Sequence, residues 1–309
     1  MEGLSVGVLG VGGVGVAAAS SLVMRGLAAR VTLYSRDGTA ARGLALDFMH
    51  ARPLLSRVEV RGLATKEFER DDILVIAAGH HTKPGETRLD TLHENIAVMD
   101  SVATAIEDRD ALPRVAMVVT NPLDVMTEYL TRRWADRDVA VMGTGTALET
   151  LRLTDSIART CRVHPRSVHG WVVGEHGDSC VFLLSSAVVG TLPLKEFARQ
   201  RQIDLSDERI ADIEREVRTA AYAIRELKGS TSQGIGLTVG GLINALAHEV
   251  GALIPVSTRV ADGICASLPC VLGPEGPGAP LMPPMCDSER AAWDRSLEVL
   301  AEANTQLPI

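Results

Sequence analysis

The chain has 309 residues, 46% of them hydrophobic, 23% charged and only 3% aromatic. That is an ordinary globular composition whose core must come from Val, Leu, Ile and Ala, with length for two domains or one large one with an appended half. A formal net charge of −8 and a pI near 5.5 argue against nucleic acid or an anionic membrane as partner, and no apolar run reaches membrane-spanning length. Cys161, Cys180, Cys265, Cys270 and Cys286 are odd in number and form no Cys-x-x-Cys pair, which fits reduced thiols in the cytoplasm and no metal site. Met1-Glu2 leads straight into a strand-like run, with no basic leader.

Residues 4–9 are a short apolar run of buried-strand type, followed by Gly10-Val11-Gly12-Gly13-Val14-Gly15 and a helix-like Ala/Ser/Leu run to residue 25. Strand, Gly-x-Gly-x-x-Gly turn and helix in that order predict a dinucleotide site. The glycines permit the tight turn, the approach of a pyrophosphate and close helix–sheet packing, while the helix start offers unpaired N–H groups. A strand over 30–34, a helix over 39–50, a weaker strand over 58–61 and a clear one over 73–78 continue the alternation of a doubly wound parallel sheet. The polar loop 79–88, broken by Pro84 and Gly85, predicts a mobile segment that can bring Arg88 to a ligand; a solvated connector is the plainer alternative. A helix over 92–108, a strand over 115–119 and a helix over 123–134 follow. They place Asn121 at a strand's C-terminal edge, where open α/β sheets bind ligands. A strand over 139–142 ends this half.

In the next helix Glu149 and Arg152 lie three apart on one face, as they would in a simple surface ion pair. The stretch Val168-His169-Gly170-Trp171-Val172-Val173-Gly174-Glu175-His176-Gly177-Asp178-Ser179 then fixes a histidine in a tight turn after an apolar run. Glycines on both sides admit a ligand to His176, and the acids at 175 and 178 bias the imidazole toward its protonated form. Such a side chain suits proton transfer near neutral pH; a loop histidine beside solvated acids is the alternative. A strand over 181–188, an amphipathic helix over 207–227 closed by Lys228-Gly229, a helical run over 230–250, an extended 256–268, a Pro/Gly-rich loop over 274–284 and a helix over 288–303 complete the chain.

Five stretches together resemble the lactate/malate dehydrogenase family: Gly10 to Gly15, Lys83-Pro84-Gly85-Glu86-Thr87-Arg88-Leu89-Asp90, Thr120-Asn121-Pro122-Leu123-Asp124, Gly174-Glu175-His176-Gly177-Asp178-Ser179 and Lys228-Gly229-Ser230-Thr231-Ser232. The resemblance covers nearly the whole chain. It implies an α/β fold with a doubly wound parallel Rossmann-type domain over 1–143 and an α+β substrate domain over 144–309. It implies reversible hydride transfer between a nicotinamide cofactor and the C2 of a 2-oxo acid, in a cytoplasmic homodimer or homotetramer. His176 matches the residue that protonates the carbonyl oxygen, Arg88 the one that polarises it, and Arg152 the one that grips the substrate carboxylate. Asn121 matches a residue bonding the reacting oxygen and the nicotinamide region, Thr231 a substrate-pocket residue, and Ile235 an apolar contact to the nicotinamide ring. Gly10, Gly12 and Gly15 match the cofactor glycines. His169 matches one residue of a sugar-bisphosphate site of some bacterial relatives, but Thr154 stands where an arginine would be needed, so that regulation is not expected.

Three positions depart from the family pattern. Glu149 replaces the aspartate that pairs with the histidine; it keeps the charge, and its extra methylene requires the side chain to bend or the helix to shift. Thr82 stands where lactate enzymes carry glutamine and malate enzymes arginine, which points to a 2-oxo acid with a neutral side chain. At about 20 residues past Gly15, where an acid would bond the ribose of NAD, the chain has Ser35 followed by Arg36. A hydroxyl and a guanidinium there point to NADP; the alternative is NAD, with Asp37 swinging back to the ribose. Two readings from other classes are an NAD-dependent, metal-requiring glycosidase of the same fold and a catalytically inactive dinucleotide-binding homologue.

Overall fold

The computed structural model describes residues 3–55, 58–80, 88–249 and 251–308, the side chains of 88–90 excepted. Six strands pair in parallel: β1 (Ser5–Leu9), β2 (Arg30–Ser35), β3 (Glu59–Ala64), β4 (Ile73–Ile76), β5 (Val115–Val118) and β6 (Ala140–Gly143), in the order β3-β2-β1-β4-β5-β6. Their near-continuous apolar runs need cover on both faces, and the alternation within β4 shows both covers. Ile73 and Val75 join a core with α1 (Gly13–Arg25) and α2 (Thr39–His50), while Leu74 and Ile76 join one with α3 (Arg88–Glu107) and α4 (Leu123–Arg133). The weak strand expected over 58–61 is a full member, paired along β2 from Glu59 to Ala64.

The second half begins with α5 (Ala147–Cys161). Short strands follow: β7 (Val168–His169), β8 (Val172–Val173), β9 (Val181–Phe182), β10 (Val188–Val189) and β11 (Leu192–Pro193), forming the small sheets β11-β10-β7 and β8-β9. Then come α6 (Leu194–Arg201), α7 (Asp207–Lys228), α8 (Gln233–Ala247), β12 (Leu253–Ala261), β13 (Ile264–Gly273), β14 (Gly276–Pro277) and α9 (Asp287–Asn304).

Three sequence expectations need correction. The extended stretch 256–268 is a hairpin of β12 and β13 turning at Asp262-Gly263, with Gly263 at φ 68° and a bulge in β12 between Arg259 and Ala261. β12 pairs antiparallel with β6 at Ser257 and Gly143, so one nine-stranded sheet takes strands from both sides of residue 143. The strand over 181–188 breaks after Phe182, because Glu289 of α9 accepts the Ser185 N–H at 2.8 Å and takes it out of any ladder. The helix expected from residue 92 starts at Arg88, one turn ahead of the buried stripe Leu92, Ile96, Met99, Ala103 and Ile106. Arg88 is therefore in the first turn of α3 rather than at the end of a loop. Thr82 and the rest of 81–87 lie outside the described residues, as does the Arg88 side chain.

α8 crosses α1 so closely that a Cβ on Gly240 would overlap the Ser21 hydroxyl, whereas one on Gly241 meets open space. Gly240→Val should cost about 1–3 kcal/mol through overpacking. Gly241→Ala should instead be neutral or stabilising by up to about 1 kcal/mol. Urea unfolding of the two variants checks both signs.

Candidate active site

At the C-terminal end of β1, Gly10 adopts φ 94° and packs on the backbone of Ala77 and Ala78, where a Cβ would lie 2.7 Å from the Ala78 nitrogen. A Cβ on Gly15 would overlap the Gly10 carbonyl oxygen, so the helix start and the turn need these two glycines to close. A Cβ on Gly12 would meet nothing within 4 Å, and Gly12 caps α1 with no side-chain hydrogen bond. The first N–H groups of α1 thus adjoin open space, a cradle that fits a pyrophosphate. Ser232, the N-cap of α8, stands across this turn, 3.7 Å from a Cβ built on Gly13. Ile235 lies half-buried in the first turn of α8, and Thr231 half-buried just before it.

β2 ends at Ser35 on the same edge. The Ser35 oxygen accepts the Ala41 N–H at 3.2 Å, which leaves its own proton to donate. Arg36 is exposed. Asp37 is engaged locally: it accepts the Thr39 N–H at 2.9 Å, and that bond holds its carboxyl below the usual range. The neighbouring Arg42 pairs with Glu67 at 2.7 Å.

At the ends of β4 and β5, a buried amide organises the loops. Asn95 of α3 accepts the His80 N–H at 2.6 Å and donates to the Asn121 carbonyl at 2.8 Å. Asn121 itself is exposed, followed by a cis bond to Pro122. Sequence reasoning missed Asn95; its signal was one amide next to the apolar stripe of α3.

The histidine turn is anchored on three sides. Gly174, at φ 87°, exchanges backbone hydrogen bonds of 2.9 Å with Ser267 of β13. The His176 N–H donates to Asp124 Oδ2 at 2.6 Å, and the Ser257 hydroxyl donates to Asp124 Oδ1 at 2.6 Å. From α5, Glu149 places Oε2 3.3 Å from His176 Nδ1, while its Oε1 accepts from Arg152 Nη1 at 3.1 Å. α5 runs unbroken through both residues, so the side chain accommodates the additional methylene by spanning the two cations.

These contacts set the protonation states. Burial works against a charge on His176, but the charge and hydrogen bond of Glu149, with the charge of Asp124, outweigh it and raise the imidazole to about 9, against an opposing push from Arg152. Burial pushes Glu149 up, yet His176 and Arg152 pull it below the usual carboxylate range. Burial raises Asp124 to about 6 despite its hydrogen bonds from Ser257 and His176. The acids next to His176 in sequence are not the ones that act. Glu175 accepts from the Ser179 N–H at 3.0 Å and from its hydroxyl, and Asp178 accepts from the Tyr222 hydroxyl at 3.1 Å. At neutral pH the site therefore offers an imidazolium whose Nδ1–H is committed to Glu149 and whose Nε2–H is the proton to give, beside a half-buried guanidinium.

Residues 4–143 match the family model described as lactate/malate dehydrogenase, NAD binding domain, and residues 146–307 match lactate/malate dehydrogenase, alpha/beta C-terminal domain. The chain is 38% identical to an L-lactate dehydrogenase of Thermus aquaticus, over 98% of this chain and 99% of that one. It is 36% identical to an L-lactate dehydrogenase of Chloroherpeton thalassium, over 97% and 98%. Among solved structures, a minor L-lactate dehydrogenase from Enterococcus mundtii superposes with a TM-score of 0.91 at 27% identity, covering 100% of both chains.

Because the folded-state pKa of His176 lies above its unfolded value, its charge contributes stability that is fully present below about 6.5 and lost as pH rises through about 9. The stability difference between the native protein and His176→Asn, from urea unfolding, should therefore shrink between these two pH values. A difference that grows with pH would show the opposite shift.

Proposed function

The chain belongs to the lactate/malate dehydrogenase family, and we propose that His176 exchanges the proton of its 2-hydroxy acid oxidoreduction, that Arg152 grips the substrate carboxylate, that the substrate side chain is neutral and that NADP(H) is the preferred cofactor. The observation that carries the reading is the single cluster of His176, Glu149 and Arg152, with Glu149 only 9% exposed.

A nicotinamide bound on the glycine turn supplies or removes the hydride at the substrate's C2. Gly10, Gly12 and Gly15 leave room for its pyrophosphate, and Ile235 gives the ring an apolar contact. Arg152 holds the carboxylate through paired N–H groups, which orients C2 and pre-empts the entropy of the encounter. His176 donates from Nε2 to the carbonyl oxygen as that oxygen gains charge, and recovers the proton in the reverse direction. Glu149 is a positioning residue, steadying the imidazolium through Nδ1. Asn121 bonds the reacting oxygen, Arg88 polarises it, and Thr231 lines the pocket. A charge that develops in the transition state rewards donors already in place.

The hydroxyl of Thr82 offers no cation to a second carboxylate, and an unpaired anion in a partly desolvated site is costly. For the cofactor, Asp37 is tied to Thr39, and Ser35 with Arg36 leaves a donor and a guanidinium for a 2′-phosphate. Among the described residues no helix is long and apolar enough to cross a membrane; a cytoplasmic homodimer or homotetramer is the setting the family implies. The close relatives are lactate dehydrogenases, which favours this reading over a metal-requiring glycosidase, and the assembled cluster at His176 favours it over an inactive homologue.

His176→Asn should lower kcat/KM by several orders of magnitude with the fold intact, and Arg152→Leu should mainly destroy substrate binding. Near-native turnover of 2-oxo acids by either variant contradicts these roles. Oxaloacetate should lose to neutral 2-oxo acids in kcat/KM at pH 8; a win for oxaloacetate rejects the neutral pocket. For the cofactor, kcat/KM with NADPH should exceed that with NADH, and Ser35→Asp with Arg36→Ala should reverse the order. Hydrogen bonds to charged groups of roughly 1.5–3 kcal/mol correspond to about tenfold to a hundredfold. A native preference for NADH of about tenfold or more refutes the assignment.

A further inference from the structure

Arg152 is proposed above to hold the substrate, yet in the free protein its charge is already paired. Among the described residues its hydrogen-bond partner is Glu149, at 3.1 Å from Nη1. The two side chains are 18% and 12% exposed, so the pair is well shielded from water. The same carboxylate reaches His176 with its other oxygen, at 3.3 Å. Both contacts are near the outer limit of good hydrogen-bond geometry. An aspartate at this point of α5 would be shorter by one carbon–carbon bond, about 1.5 Å, and could not keep both. The bridge is therefore a property of the glutamate that this chain carries.

We propose that Glu149 is an internal competitor for the substrate carboxylate, released from Arg152 when substrate binds. Glu149 takes one of the five N–H donors of Arg152, through Nη1, so what it competes for is the charge of the guanidinium. Two carboxylates crowded on one arginine repel. The arriving anion displaces Oε1, and Glu149 then serves His176 alone. Occupation of the carboxylate grip thus strengthens support for the imidazolium at the moment a proton donor is needed. A ligand without a carboxylate cannot perform this exchange, so the device selects 2-oxo acids over neutral carbonyl compounds. The charged groups acting on His176 are Glu149 and Arg152 from α5 and Asp124 from α4; Glu175 and Asp178 of its own turn are held by Ser179 and Tyr222.

This inference rests on the functional reading above, so its test has one arm that needs no turnover. In the substrate-free protein, the His176 imidazole is titrated by NMR. Arg152→Leu should raise its midpoint by about 1 pH unit, because the opposing cation leaves and Glu149 is freed for the imidazole. In the second arm, Glu149→Asp should lower the KM for pyruvate and the inhibition constant for oxamate, each by roughly tenfold, whatever happens to kcat. An unchanged midpoint in Arg152→Leu overturns the bridge. A KM in Glu149→Asp that is unchanged or higher, with kcat reduced, overturns the competition and leaves Glu149 serving the imidazole only. A native protein that reduces no 2-oxo acid overturns the functional reading instead, and the titration still decides the bridge.

Discussion

Asp124 lies 2% exposed beneath the histidine turn, accepting the His176 N–H and the Ser257 hydroxyl at 2.6 Å each. It sits in the first turn of α4, where a helix N-terminus favours a negative charge. One carboxylate thus joins α4 of the first half to the histidine turn and to β12 of the second. Each buried donor left without it would cost about 1–3 kcal/mol. His176 is held by its backbone as well as by its ring. β12 in turn pairs with β6, which lets the nine-stranded sheet carry both the glycine turn and the anchor of His176.

The two sides of the chemistry meet through helix packing as well. α8 needs glycine at Gly240 to lie against α1, and that close approach brings Ser232 over the glycine turn and Ile235 next to it. α5 runs under the same region, with Leu148 3.5 Å from a Cβ built on Gly234. A shift of α8 would therefore disturb its packing against both the glycine turn and α5. Geometry fixed by packed helices is more precise than geometry held by loops.

The glycine turn, the strands around it and His176 were legible in sequence because each depends on local spacing. Of the charges that govern His176, Glu149 was legible only through the family resemblance, and Asp124 was not legible as a charge at all. Glu175 and Asp178 look like its partners, but the tight turn sends them to Ser179 and Tyr222, while the effective acids come from 52 and 27 positions away. The Glu149–Arg152 pair read as a surface contact because i,i+3 spacing says nothing about what covers it; the histidine turn covers it. The β12–β13 hairpin was read as one extended stretch, although Asp262-Gly263 marks its turn, and its place beside β6 leaves no local trace because the pairing spans more than a hundred residues. Asn95 illustrates the same limit: an amide at a helix's edge declares its partners only once the loops after β4 and β5 converge on it.

The departures at Glu149 and at Ser35 are both changes in where a carboxylate can reach. Lengthening the acid at 149 by one methylene adds a second cation to its reach without removing the first. The site's strongest positive group then waits in a neutralised state, which lowers the cost of keeping a guanidinium half-buried. At the end of β2 the acid is absent, and the nearest one, Asp37, is spent on the start of α2 through Thr39. Its negative charge is held at the helix N-terminus, so the strand's end presents a hydroxyl and an arginine. The unchanged parts of the fold, sheet order, glycine turn and histidine anchor, position the reacting atoms. The two departures thus differ in kind: at 149 the carboxylate gains a second cationic neighbour, and at the end of β2 no carboxylate faces outward from the strand.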